Sequence, residues 1–301
     1  MEPKPRAQNE SNLFGQSQAL YDSLLRDTAG FLTLADALKR LAGINLPTNE
    51  KNLSLMASRV APLLKKSSLL SYRSLKSLID QGDKEIINKF IEALTTNTTS
   101  FFREEAHFPV LKKAILERMQ DPKNVGRREI RIWCAASSTG QEPYSIAITA
   151  LETLGVGSPF AIKILATDID LDALEKASRG IYTEDELAKV PSLVKKKYFD
   201  LRETAIGHRY IAKPSLKSIL TFAPLNLVET NWPFKHKFDV VMCRNVLIYF
   251  ERNMVTQVVG SMTNALAPGG FLFLGHAETS ATKPPSLTPI SHAVWQKIST
   301  K

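Results

Sequence analysis

Cysteine is nearly missing from this chain, with two in 301 residues, Cys134 and Cys243, both inside apolar runs. Thiols placed this way suit neither a disulfide framework nor the clustered spacing of a zinc site. Each is expected to be a small buried hydrophobe in a reduced compartment, with no metal bound. No apolar run approaches the roughly 18 residues that a membrane span requires. The opening MEPKPRAQNESN is polar, contains proline and lacks the apolar segment of a signal peptide, so a soluble, cytoplasmic protein is expected. A P-loop is absent, as is the three-glycine dinucleotide fingerprint, which argues against a bound pyrophosphate.

What is present is ordinary globular composition, 44% hydrophobic and 23% charged, with a net charge of +9. The charge permits an anionic partner without choosing among an acidic protein, a nucleic acid and a membrane. Lysine clusters such as VKKKY from Val194 and LLKKS from Leu63 read as solvated helix faces.

Two regions differ in period. Between Phe31 and Leu94 the pattern is helical: Leu53, Met56, Val60 and Leu63 form one stripe behind Thr48 as N-cap, and Pro62 is expected to end or kink that helix. Asp83 is expected to cap a later helix whose Ile86, Ile87, Phe90, Ile91 and Leu94 face inward. This region carries ten Lys or Arg against six Asp or Glu. After Ala106 short apolar runs, EIRIWCAA, AIKILATDID, ILTFAPLNL, KFDVVMCRN and GFLFLGH, alternate with helical patterns. Such alternation implies an α/β fold, a mostly parallel sheet covered by helices on both faces. The expected organisation is a flexible extension over 1–30, with a short helical pattern near Ala19 to Leu25, and then a helical domain over 31–95. An interdomain segment over 96–105 leads into an α/β domain over 106–301, with a β-hairpin insertion over about 201–221, read equally as a docking element or a surface excursion.

In an open parallel sheet the ligand crevice lies beyond the carboxyl ends of the strands, where strand order reverses. After the first strand comes AASSTGQEPYS, whose small side chains let a backbone approach a ligand and whose Gly140 permits a tight turn before a helix N-terminus. After the second comes Asp168, placed to accept from two ribose hydroxyls, although its 28-residue separation from Gly140 exceeds the roughly 20 of the dinucleotide pattern. The two together favour an adenosine ligand. Asn226 follows the third strand, and Asn245 and Tyr249 follow the fourth. In NALAPGGFLFL a helix is expected to end at Pro268 and turn through two glycines into a strand.

Taken together, TTNTTSFFRE, AASSTGQEPYSIAI, ATDID, PLNL, FDVVMCRNVLIYF and LAPGGFLFLGHAE, with the basic helical region before them, closely resemble the CheR family of bacterial chemotaxis receptor methyltransferases. The resemblance runs from about Phe31 to near the carboxyl terminus. It implies a Rossmann-like S-adenosylmethionine methyltransferase domain that esterifies glutamate side chains on the cytoplasmic helices of chemoreceptors and releases S-adenosylhomocysteine. It places Asn97, Thr99, Arg103, Glu142, Asp168, Asn226, Leu227, Asn245 and Val246 at cofactor-contacting positions. Arg103 and Tyr249 match residues that hold the substrate carboxylate, and Arg59 a position used in receptor recognition. The hairpin resembles the subdomain that in some members binds a receptor's carboxyl-terminal pentapeptide, so membrane association is expected only through the receptor.

The chain departs from the family in two places. Gln141 stands where glutamate is common, and the chain from Arg59 reads RVAPLLKK, with apolar residues and Pro62 where the family usually carries several arginines. His276 is read as satisfying a local hydrogen bond. Competing readings are a methyltransferase with another protein or nucleic-acid target and a non-catalytic, cofactor-sensing adaptor. Nucleic acid is not expected, because aromatic and basic residues do not interleave and no Asn-Pro-Pro-Tyr or Asp-Pro-Pro-Tyr segment occurs.

Overall fold

The computed structural model describes residues 17–122, 126–205, 207–229, 231–278 and 286–298. The dozen residues expected to be loose at the start lie outside them. The chain divides into two compact units between Thr96 and Asn97. No described helix is long and apolar enough to cross a membrane.

The first unit is helical. Residues 17–26 form a helix with Leu24 buried, followed by α1 (Thr28–Ala42), α2 (Glu50–Lys66), α3 (Tyr72–Asp80) and α4 (Lys84–Leu94). The short helical pattern expected near Ala19 to Leu25 is thus a helix over 17–26, and the helices begin before Phe31, where the helical domain was expected to start. Asp83 caps α4, and Ile86, Phe90, Ile91 and Leu94 are buried. Asn49, not Thr48, caps α2: its side chain accepts from the Asn52 N–H at 2.9 Å. Nor does α2 end at Pro62. That proline faces solvent while Val60, Ala61, Leu63 and Leu64 around it are buried, so packing outweighs a loss of about 3 kcal/mol for proline in a helix interior.

The second unit is a seven-stranded sheet built from β1 (Glu129–Cys134), β2 (Ala161–Asp168), β6 (Leu220–Pro224), β7 (Phe238–Cys243), β8 (Leu266–Leu274), β9 (Leu287–Ser291) and β10 (Val294–Lys297), in the order β6-β2-β1-β7-β8-β10-β9. The first five in that order run parallel, and β10 lies antiparallel to both β8 and β9. Side chains alternate between two cores. Ile132, Val240 and Phe273 face one with Leu111 and Ile115 of α5 (His107–Gln120); Trp133, Val241 and Leu272 face the other with Val258 and Met262 of α10 (Arg252–Ala265). Each such burial contributes roughly 1.5–3 kcal/mol. Between these helices lie α6 (Gln141–Leu154), α7 (Leu171–Arg179), α8 (Ser192–Tyr198) and α9 (Pro214–Lys217). The chain winds outward through β1, β2 and β6 and then returns to the other side of β1 with β7. Strand order therefore reverses between β1 and β7, and the crevice must open above their carboxyl ends.

The inserted sheet is larger than a hairpin. β4 (Phe199–Thr204) and β5 (Gly207–Ala212) pair antiparallel, and β3 (Ile181–Tyr182) adds a third strand on the far side of β5. Leu220 and Thr221, expected within the insertion, pair instead with β2 in the main sheet, because their apolar run completes its parallel edge. The last expected turn also differs. α10 stops at Ala265 and β8 is already running at Leu266, so Pro268-Gly269-Gly270 bulges out within a strand. Gly269 has φ +73, and a Cβ there would lie 2.8 Å from Arg118 Nη1.

Arg118 explains that crowding. Its guanidinium donates to the fully buried Asp239 (Nη2 to Oδ1, 3.0 Å), to Asp121 (2.6 Å) and to the Pro268 carbonyl (3.1 Å), and Asp239 also accepts from the Arg131 N–H at 2.8 Å. Removing one member of such a pair strands a buried charge, at a cost of about 3–5 kcal/mol. Asp239→Ala should lose stability of that order in urea unfolding; a loss below about 1 kcal/mol would contradict the assignment.

Candidate active site at the carboxyl ends of the central strands

Above β1 the loop Ala135–Gly140 is held by backbone bonds to both neighbouring strands: Ala135 N–H to the Met242 carbonyl (2.8 Å) and Ser137 N–H to the Thr167 carbonyl (2.9 Å). Gly140 takes φ +101 and starts α6, as its sequence context implies. A Cβ there would lie 2.5 Å from the Tyr182 hydroxyl. Asp168 ends β2 and accepts from the Ser138 N–H (2.7 Å) and the Asp170 N–H (3.0 Å). Burial raises its pKa against the backbone N–H groups of Asp170, Ser138 and Ile169. The following helix, α7, is capped by Asp170, which accepts from the Ala173 N–H at 2.9 Å.

Asn97 joins the same cluster. Its amide donates to Asp170 (2.6 Å), and its Oδ1 accepts from the Ser138 hydroxyl (3.1 Å). Asn226 is tied in through the chain, since Leu225 N–H donates to the Asp168 carbonyl at 3.0 Å; the Asn226 side chain closes a local turn on the Val228 N–H at 3.1 Å, with Leu227 buried beside it.

A second cluster forms where β7 ends. Arg244, whose side chain is wholly buried, donates Nη1 to Glu142 Oε2 (3.0 Å), while its Nη2 donates to the Arg103 carbonyl and lies 3.2 Å from Glu104 Oε2. Glu104 Oε1 accepts from the Asn245 amide at 3.0 Å. Burial pushes Glu104 up, but Asn245 and Arg244 outweigh it and hold the carboxyl below its ordinary value. Glu142 goes the other way: burial raises it against the Arg244 charge. Its second oxygen accepts from the Cys134 thiol (3.7 Å), so both oxygens have partners inside the protein.

Phe101 and Phe102 explain how the polar Thr95–Ser100 run is anchored. Phe101 is fully buried edge-on to Tyr182 (4.9 Å between centroids), and Phe102 packs edge-on to Phe108 (5.0 Å) while donating its N–H to the Ser145 hydroxyl (3.0 Å). The half-buried Arg103 directly after them donates to the Thr98 carbonyl at 3.0 Å. Tyr249 ends a 3-10 turn, Leu247–Tyr249, and is half-buried. Among the described residues no side-chain hydrogen bond links Thr99 or Tyr249 to either cluster. Arg59 lies in the first unit, where it donates to the Thr95 carbonyl at 2.6 Å.

Residues 97–294 match the family model described as CheR methyltransferase, SAM binding domain. The chain belongs to the CheR methyltransferase family. Its sequence is 39% identical over 252 residues to chemotaxis protein methyltransferase 2 of Pseudomonas aeruginosa, covering 82% of this chain and 85% of that protein. It is 34% identical over 259 residues to the chemotaxis protein methyltransferase of Escherichia coli, covering 85% of this chain and 86% of that protein. S-Adenosylmethionine is its cofactor, and the crevice suits it. Asp168 stands at the end of β2 beside the loop after β1, where a carboxylate can accept from ribose hydroxyls.

Sequence reasoning passed over Arg244, Glu104, His107 and Glu278. A charged residue directly after the fully buried β7 was the available signal, because a buried guanidinium must have carboxylates around it. Glu104, His107 and His276 each place one potential metal-ligand atom within 4.8 Å of the others. The Arg244 guanidinium already lies against Glu104 Oε2, and its charge opposes a cation there. His107 is 1% exposed and neutral at physiological pH: burial and then Arg244 push its pKa down to about 4. The unfolded chain takes up this proton near 6.5 and the folded chain only near 4, so its stability contribution is complete above 6.5 and is lost as pH falls through that window. The melting temperature of wild type should drop between pH 6.5 and 4.5, and His107→Gln should flatten that drop; parallel curves for the two proteins would contradict it.

Proposed function

We propose that this methyltransferase transfers the methyl group of S-adenosylmethionine to glutamate side chains on the cytoplasmic helices of chemoreceptors, giving glutamate methyl esters and S-adenosylhomocysteine. The observation that carries this reading is the Arg244 contact, which brings the Arg103 segment and the Asn245 loop together where strand order reverses.

When bound, the cofactor supplies a methyl group activated by its positive sulfur. A glutamate side chain, with a reference pKa near ~4.3, is already an anion at neutral pH, so no strong base has to remove a proton. Transfer would join a carboxylate oxygen to the methyl carbon, with the electron pair of the broken carbon–sulfur bond left on sulfur. Placing the acceptor in line can be worth roughly 7–11 kcal/mol. Asp168 takes the ribose hydroxyls, and Asn97, Asn226, Leu227, Asn245 and Val246 line the adenosyl and methionyl portions. Arg103 forks onto the acceptor carboxylate and Tyr249 donates to it. Both position the carboxylate, since holding it more tightly would blunt its nucleophilicity. Glu142 acts through Arg244, whose guanidinium it shares with Glu104. The outer strand β4 of the small sheet, exposed from Asp200 to Thr204, offers an edge to which a receptor tail can add as a strand.

Methyl-labelled S-adenosylmethionine, supplied with membranes bearing chemoreceptors, should give label released as methanol by alkali. Arg103→Ala should lower that rate by about 100-fold, the scale of a 1 Å misplacement. Label that resists alkali would overturn the ester, and an undiminished rate in Arg103→Ala would remove Arg103 from the site.

A further inference from the structure

Glu278 has no place in the chemistry described so far, yet few side chains in the molecule are so fully used. It is 3% exposed and its carboxylate accepts four backbone N–H groups. Oε1 takes Val246 (2.8 Å) and Leu247 (2.7 Å); Oε2 takes Asn245 (3.1 Å) and Gly275 (2.6 Å). Three of the four belong to one loop, the residues that follow Arg244 at the end of β7. Consecutive N–H groups converging on one point form an anion-binding nest, and here a side chain of the protein fills it.

That filling matters because the loop is not held by regular structure. Asn245 sits at φ +59, in a left-handed region that asparagine enters more readily than most side chains and that the bonds around it reinforce here. Glu278 fixes the loop's backbone, and Glu104 fixes the Asn245 side chain by accepting its amide at 3.0 Å. Gly275 completes the fit: a Cβ there would lie 2.7 Å from Glu278 Oε2 and 2.9 Å from the Asn245 nitrogen. We infer that Glu278 is a positioning residue for methyl transfer, clamping the Asn245–Leu247 loop from below while Glu104 holds Asn245 from the side. The inference rests on the reading that this loop lines the cofactor site and leads into Tyr249.

Glu278→Gln keeps shape and volume but replaces one acceptor oxygen by an NH2 group facing N–H donors. Affinity for S-adenosylhomocysteine by calorimetry and kcat at saturating cofactor should each fall by at least roughly tenfold at a temperature well below the variant's melting transition, since a small misplacement costs that much or more. Glu104→Gln should weaken the same two quantities about threefold or more. A purely structural Glu278 would instead lower the melting temperature and leave both within twofold of wild type, and that result overturns the inference. Should Glu278→Gln fail to fold, Glu104→Gln carries the test, and unchanged affinity and kcat in it overturn the clamp. Asn245→Ala separates the two layers. If it binds cofactor like wild type, the loop's place in the site is wrong and the inference falls with it. If it is impaired while the glutamate variants are not, the clamp alone is wrong.

Discussion

One buried guanidinium organises the catalytic unit. Arg244 has no exposed side-chain surface, and a bare charge in such a place would cost several kcal/mol. Its three partners come from two separate stretches: Glu142 in the first turn of α6, and Glu104 with the neighbouring Arg103 carbonyl beyond the two phenylalanines. Each of the three offsets part of the cost of burying that charge. The need to satisfy it therefore couples the loop after β1, the segment before α5 and the end of β7 into one constellation. The same contact settles opposite fates for two carboxylates. Glu104 is held ionised and available to Asn245, whereas Glu142 is desolvated deeply enough to be raised.

The fold supplies the frame in which this is possible. Parallel strands bring their carboxyl ends to one edge, and the return of the chain to β7 after β6 opens the crevice beside β1. Far from that crevice, the Arg118–Asp239 pair ties α5 to β7 and to the Pro268-Gly269-Gly270 bulge. The two networks share a logic: a buried arginine brings together segments distant in sequence.

Much of this was legible before any coordinates. Strands betray themselves by apolar runs such as KFDVVMCRN, and Gly140 by the loop-to-helix turn it must make. Asp168 and Asn97 lie where their motifs place them, at the ends of β2 and at the start of the catalytic unit. Long-range partners were not legible. Arg244 reads as one residue of a motif until Glu104 and Glu142 are seen around it, 140 and 102 positions earlier in the chain. Glu278 reads as a polar residue after a strand until four N–H groups converge on it. Pro62 misled because propensity sees the lost hydrogen bond and not the buried residues on either side. The inserted sheet was misjudged because β3 lies some 20 residues before the hairpin it joins, beyond the reach of a local pattern.

Arg244 serves several acceptors at once at the end of β7, which a lysine at that position would not reproduce because its ammonium is a point charge without the planar fork. The most direct measurement is equilibrium binding of S-adenosylhomocysteine to Arg244→Lys, alongside a thermal melt. The account predicts a cooperative melt with affinity weakened by about tenfold or more, a difference of roughly 1.4 kcal/mol. Wild-type affinity in a cooperatively folded Arg244→Lys protein would contradict it.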